Sequence, residues 1–178
     1  MEALYAAIFE TAWGRSAVCW RPEQFPKVCQ IYLSHDPSER LPDLSDCVLQ
    51  TSILLPVAEK IQRYCAGENV HFDVADIDMN DVPPFRWTVY LAAHKIPFGR
   101  VWTYGRLAHE VNNPRAARAV GQAMAHNRFA PVVPCHRVIA AGGRLGGFGP
   151  GPDAKRLMLR HEGIRLLGED RVDPAFID

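Results

Sequence analysis

Short apolar runs open the chain. Residues 3–9 and 16–20 and the segment Cys29-Gln30-Ile31-Tyr32-Leu33 read as strands of a small sheet, with Trp13-Gly14-Arg15 as a turn. Asp36-Pro37-Ser38-Glu39 and Leu41-Pro42-Asp43 mark loops. The period then changes. Leu54, Val57, Ile61 and Cys65 recur at helical spacing, Pro56 belongs in the first turn or at a kink, and Gly67 is a plausible residue just past the helix end. A polar, strand-like stretch follows around His71-Phe72-Asp73-Val74. Asp78 to Pro84 is polar with a double proline, which sets a domain boundary between residues 1–83 and 84–178.

Helical spacing dominates the second part. Phe85, Val89, Ala92 and Ala93 predict a helix ending before Ile96-Pro97-Phe98-Gly99. Thr103 can cap a helix from Tyr104 to about Glu110. Asn112-Asn113 makes a turn, and Pro114 stands at the first position of a helix reaching Ala125. This is the length and punctuation of a helix-turn-helix. Ala117, Val120 and Met124 share one face of the second helix. Arg115, Arg118, Gln122 and His126 share the other, and small Ala116, Ala119, Gly121 and Ala123 would let its backbone lie close to a duplex. Residues 137–148 read as a Gly-rich loop, and Asp153 as the cap of a last helix closing at Glu162-Gly163. The expected fold class is an α/β N-terminal domain plus a mainly α C-terminal domain with a winged-helix-like helix-turn-helix.

Charge changes the picture. The formal net charge is zero, yet residues 1–83 carry −7, residues 84–165 carry +10 and residues 166–178 carry −3. So basic a segment fits a polyanion, although a basic face docked on the acidic part would give the same count. An apolar fraction of 48% supplies a core. No segment is long and apolar enough for a membrane span, and Met1-Glu2-Ala3-Leu4 does not begin a secretory signal. Cys19, Cys29, Cys47, Cys65 and Cys135 are scattered and odd in number, which argues against a disulfide framework. A zinc site from Cys19, Cys29 and His35 has no spacing signature behind it. The expectation is a cytoplasmic protein, nucleoid-associated if bacterial or archaeal, with no metal and no cofactor.

The candidate chemistry sits in Pro134-Cys135-His136-Arg137-Val138. Pro134 fixes the backbone entering Cys135, and a cysteine followed directly by histidine is a candidate low-pKa thiolate. Most single cysteines are inert core residues. Here the thiol follows a DNA-recognition-like helix and precedes a Gly-rich loop.

With Tyr104, the stretch Asn113-Pro114-Arg115-Ala116-Ala117-Arg118-Ala119-Val120-Gly121, Asn127, Pro134–Val138 and His161-Glu162-Gly163, the chain from about Pro84 to Ile164 resembles the O6-alkylguanine-DNA alkyltransferases. The resemblance implies one irreversible transfer of an alkyl group from O6-alkylguanine in DNA to Cys135, with O4-alkylthymine left open as a substrate. His136 and Glu162 would form a relay to the thiol, and Asn127 would brace the turn before it. Arg118 would fill the space of an extruded base, with Arg115, Gln122 and Ala119 also at the DNA. Tyr104 would press on the flipped nucleotide and donate to the guanine. Val138, Phe148, Gly149, Pro134 and Met124 would line the pocket. Double-stranded DNA carrying the lesion is the expected partner of a monomer. Three departures from the family stand out: Phe148 where tyrosine is usual, Gly149-Pro150-Gly151 where Ser-Gly-Gly is usual, and Arg128 where many members have proline.

The physical case stands beside the resemblance. The O6 substituent lies within the stacked duplex, so the base must be flipped out to react. Attack on saturated carbon needs a thiolate, which a histidine held by a carboxylate can provide. Competing readings are a lesion-binding relative that transfers nothing, a helix-turn-helix regulator with a structural Cys135, and a cysteine hydrolase using Cys135 and His136.

Overall fold

The computed structural model describes residues 4–23, 26–50 and 55–178. The chain divides into two compact units, the first comprising residues up to Asp81 together with Arg128–Val132, the second Val82–Asn127 and Val133–Asp178. The division falls at 81/82, two residues before the expected 83/84 boundary, and one further segment crosses it. The Ile31 N–H donates to the Arg128 carbonyl, so 128–132 is drawn to the edge of the first unit's sheet.

The first unit holds a mixed four-stranded sheet. β1 (Leu4–Thr11), β2 (Gly14–Trp20), β3 (Val28–Tyr32) and β4 (Cys47–Leu49) lie in the order β3-β2-β1-β4. β1 and β2 form a hairpin in register from Tyr5↔Trp20 to Thr11↔Gly14. Its turn is Ala12-Trp13, one residue earlier than the sequence suggested, held by Thr11 Oγ1, which donates to the Gly14 carbonyl and accepts from the Trp13 N–H. Gly14 belongs to β2 at φ 128°, and a Cβ there would lie 2.6 Å from Ser34 Oγ.

β4, which the apolar pattern did not indicate, pairs parallel to β1. α1 (Pro56–Cys65) starts on its proline, buries Val57, Ala58, Ile61, Tyr64 and Cys65, and is followed by Gly67 at φ 106°. Leu54, expected on that apolar stripe, lies outside the described residues, as do the first three residues. The strand expected at 71–74 is absent. Asp73 instead caps a 3-10 turn, Val74–Asp76, by accepting from the Ala75 N–H.

The second unit is helical, with short strands that set its chemistry in place. α2 (Pro84–His94) buries Val89, Tyr90, Ala92 and Ala93, while Phe85 stays exposed. Two-residue β5 (Trp102–Thr103) leads into α3 (Tyr104–Glu110), which Thr103 caps through the Arg106 N–H. α3 is followed two residues on by Asn112, whose φ of 55° asparagine tolerates. α4 (Ala117–Ala125) begins three residues later than Pro114, because Asn113, Pro114 and Arg115 form a turn closed by the Ala116 N–H and the Asn113 carbonyl. α3 and α4 form the helix-turn-helix pair.

The 137–148 segment is not all loop. β6 (Val138–Ile139) pairs parallel with β5 in the register Trp102↔Val138 and Thr103↔Ile139. α5 (Pro152–His161) follows; Gly151 is its N-cap, and Asp153 lies inside the first turn, paired with Arg156 instead of capping. A hairpin of β7 (Leu166–Leu167) and β8 (Arg171–Val172) follows α5. Val101, Ile139, Leu145, Leu159, Ile164 and Val172 make the core that unites these strands with α5.

Candidate active site

The β5–β6 pairing assembles the site. β5 delivers Tyr104 at the start of α3, and β6 is entered from the single 3-10 turn Cys135–Arg137. Two bonds tie that turn down, Cys135 N–H to the Val133 carbonyl and Arg137 N–H to the Pro134 carbonyl, both 2.9 Å. Asn127, just past α4, spans the entry. Its Nδ2 donates to the Val133 carbonyl at 2.8 Å and to Cys135 Sγ at 3.0 Å.

His136 is fully buried, and its Nε2 lies 2.7 Å from Glu162 Oε1. Arg137 grips the same carboxylate with both arms, Nε to Oε2 at 2.8 Å and NH2 to Oε1 at 2.9 Å, and its NH1 donates to the Ile96 carbonyl at 2.7 Å. The Gly99 N–H adds a bond to Oε2 at 3.2 Å. Buried Lys155 on α5 donates to the carbonyls of Val138 and Leu145, both at 2.6 Å.

The electrostatics follow from burial set against these partners. Burial pushes the Cys135 thiol up, opposed by the Asn127 hydrogen bond, the Lys155 charge and backbone N–H groups. This direction is opposite to the one a neighbouring histidine suggested, because a sulfur withdrawn from water holds its proton more tightly. Burial also pushes the His136 imidazole down, outweighing Glu162. For Glu162 burial acts upward, but His136 and Arg137 hold its carboxyl well below the usual carboxylate range. Burial lowers Lys155 to about 8.

A cleft of about 770 Å³ is walled by Tyr104, Arg118, Gly121, Gln122, Phe148 and Gly149 among others, and Cys135 is not among its lining residues. The Tyr104 hydroxyl donates to the Gly147 carbonyl at 3.2 Å, and burial with the neighbouring Cys135 raises its pKa. Its ring covers Gly146, where φ is 70° and a Cβ would stand 3.1 Å from the ring.

Of the residues expected at the site, half-buried Asn127 is bonded to buried Cys135, and buried His136 to buried Glu162, the two pairs meeting at adjacent residues of one turn. Tyr104, Arg118, Gln122, Phe148 and Gly149 come together around the cleft. Pro134, Val138 and Met124 are buried and, like Cys135, are not among the residues that wall the cleft. Arg115 and Ala119 are exposed outside it, Arg115 on the turn before α4. Sequence reasoning assigned no role to Arg137 or Lys155. Lys155 carried a signal: with Ala154, Met158, Leu159 and Glu162 it lies on one buried face at helical spacing, an odd place for an amine. Among the described residues no group of three or more His, Cys, Asp or Glu could hold a metal, the Cys19, Cys29 and His35 set included.

The model of the DNA-binding domain of 6-O-methylguanine DNA methyltransferase matches residues 84–164. A methylated-DNA–protein-cysteine methyltransferase of Methanosarcina acetivorans is 34% identical over 160 residues, covering 90% of this chain and 99% of the relative. The Mycolicibacterium paratuberculosis protein of the same name is 44% identical over 104 residues, covering 58% of this chain and 62% of that protein, so the chain spans under two thirds of this relative. Among solved structures, Mycobacterium tuberculosis OGT in complex with DNA superposes with a TM-score of 0.73 at 30% identity, over 89% of this chain and 92% of the other.

Proposed function

The chain belongs to the 6-O-methylguanine DNA methyltransferase family, and from that membership we propose that it repairs O6-alkylguanine in double-stranded DNA by transferring the alkyl group to its own Cys135. The observation that carries the reading is the Cys135 sulfur held at 3.0 Å by Asn127, with His136 of the same turn joined at 2.7 Å to Glu162 at the end of α5. Tyr104, which lines the cleft, lies within electrostatic reach of that sulfur.

The steps balance as follows. The Cys135 thiol proton passes to the His136 imidazole, and Glu162 stabilises the resulting cation. The sulfur forms a bond to the alkyl carbon as the carbon–O6 bond breaks. Tyr104, released from the Gly147 carbonyl, donates its proton to the departing guanine, which leaves as ordinary guanine, and the proton held by the His136 cation restores the tyrosine by way of solvent. The thioether has no leaving route, so each molecule acts once. Lys155 orients the Val138 carbonyl and opposes the charge of the thiolate.

The flipped base enters the cleft, and the exposed Arg118 on α4 takes its place in the stack. Arg115, Gln122 and Ala119 face the DNA, and the +10 balance of residues 84–165 supplies phosphate affinity that falls with salt. This reading carries with it a monomer acting in the cytoplasm. No helix among the described residues is long and apolar enough to cross a membrane.

Incubation with duplex containing O6-methylguanine, followed by intact mass and peptide mapping, tests the proposal. One methyl per protein, on Cys135, is expected. Tight binding without a mass change would instead support a lesion-binding protein. Arg118→Ala should slow reaction with the duplex roughly tenfold or more, about 1.4 kcal/mol in barrier, while sparing reaction with free O6-benzylguanine.

A further inference from the structure

Glu162 has more partners than are needed to steer one imidazole. Its two oxygens accept from His136, from both arms of Arg137 and from the Gly99 N–H. Arg137 is itself anchored on the Ile96 carbonyl, and all three side chains are buried. A buried carboxylate facing only an imidazole would draw a proton onto it and make a standing ion pair. Such an imidazolium could not accept the thiol proton. A permanent guanidinium on the same carboxylate removes that pull, because arginine cannot give up its charge.

We propose that Arg137 is a positioning residue that keeps His136 neutral at rest, so that the ring becomes cationic only when it takes the proton of Cys135. The proposal rests on the alkyl-transfer reading and deepens it. The charged and titratable groups that act on the ring are Glu162, Arg137 and Lys155 of α5, with Cys135 beside it in the chain. Burial, then Arg137 and Lys155, disfavour the cation, and Glu162 favours it. The two-armed grip matters as well as the charge, since an ammonium cannot span both carboxylate oxygens in a fixed fork.

The test is to follow the His136 ring by NMR against pH and, in parallel, the pH profile of single-turnover transfer from O6-benzylguanine. Arg137→Met should raise the ring's midpoint by about 1–3 units and move the acid limb of the rate profile up with it. Adding Glu162→Gln should bring the midpoint back to or below the wild-type value, because both charges then leave together. Arg137→Lys should keep the midpoint closer to wild type than Arg137→Met does. If Arg137→Met does not fold, Arg137→Gln takes its place as the neutral variant. A folded neutral variant with an unchanged midpoint, slowed equally at every pH, would overturn the proposal and leave Arg137 a purely structural clamp. Absence of transfer in the wild type would instead count against the alkyl-transfer reading, and the ring titration is independent of that outcome.

Discussion

Three of the first unit's cysteines and the cysteine of the candidate site are buried to nearly the same extent, yet their surroundings differ in kind. Cys19, Cys65 and Cys29 are 2%, 3% and 6% exposed, and Cys135 is 6% exposed. Burial pushes all four thiols up. Cys19 reaches about 12, with Cys47 and Cys29 adding to the effect of burial, and Cys65 also reaches about 12. Cys29 feels the charges of Arg21 and Arg128, but its sulfur is spent donating to the Cys19 carbonyl at 3.3 Å. Cys135 alone among these four receives a side-chain N–H at 3.0 Å, and the next residue in the chain is an imidazole bound to a carboxylate. Burial cannot separate a reactive cysteine from an inert one. What separates them is a donor aimed at the sulfur and a base supplied with a counter-charge.

The largest test of this contrast is removal of the sulfurs one at a time. Cys135→Ser should abolish alkyl transfer, whereas Cys19→Ser, Cys29→Ser and Cys65→Ser should each still take up one alkyl group per protein by intact mass. An alkyl group found on a sheet cysteine would break the comparison outright.

Asn127→Ala should come next in size. A hydrogen bond to a group that becomes charged contributes about 1.5–3 kcal/mol, so single-turnover transfer should slow by roughly 10–150-fold. Part of that loss will reflect the Val133 carbonyl, which also loses its partner. Asn127→Asp offers no N–H to the sulfur or to the Val133 carbonyl and places a carboxylate where the donor stood. It should be at least as slow as the alanine variant if the donor to sulfur is what matters, and an asparagine-like rate would show that it is not.

The smallest effect is expected at the cleft wall. Phe148 lines the cleft, and its ring lies near Lys155 Nζ, 5.8 Å from centroid to nitrogen. Phe148→Tyr keeps the aromatic face and should change methyl transfer by less than about tenfold, 1.4 kcal/mol in barrier. Phe148→Ala removes the face and should impair both methyl and benzyl transfer. A wild-type rate for the alanine variant would show that the ring does not support the bound base.

Much of the local structure could be read from residue patterns, because its causes are local. A hairpin between two apolar runs, a helix opening on Pro56, the Thr103 cap and the turn at Asn112-Asn113 each depend on residues a few positions apart. Where nearby signals competed, the reading slipped. Pro114 is a good first residue for a helix, yet Asn113, Pro114 and Arg115 close a turn first. Asp153 is a good cap, yet Gly151 at φ 97° takes that position. The His71–Val74 stretch suggested a strand, yet Asp73 bonds the Ala75 N–H and starts a 3-10 turn.

By itself the sequence determined the family and the basic character of residues 84–165, and it pointed to Cys135, His136 and Glu162 as the candidate site, since these follow from residue types and spacings along one chain. Only the tertiary structure decided how those residues act. The parallel pairing of Trp102-Thr103 with Val138-Ile139, and the addition of β4 to β1, join distant segments whose partners no local period announces. The raised thiol of Cys135, the lowered imidazole of His136, and the recruitment of Arg137 and Lys155 all arise from removal of water. Desolvation is a property of the packed interior, and a charge or thiol acquires its working pKa only there.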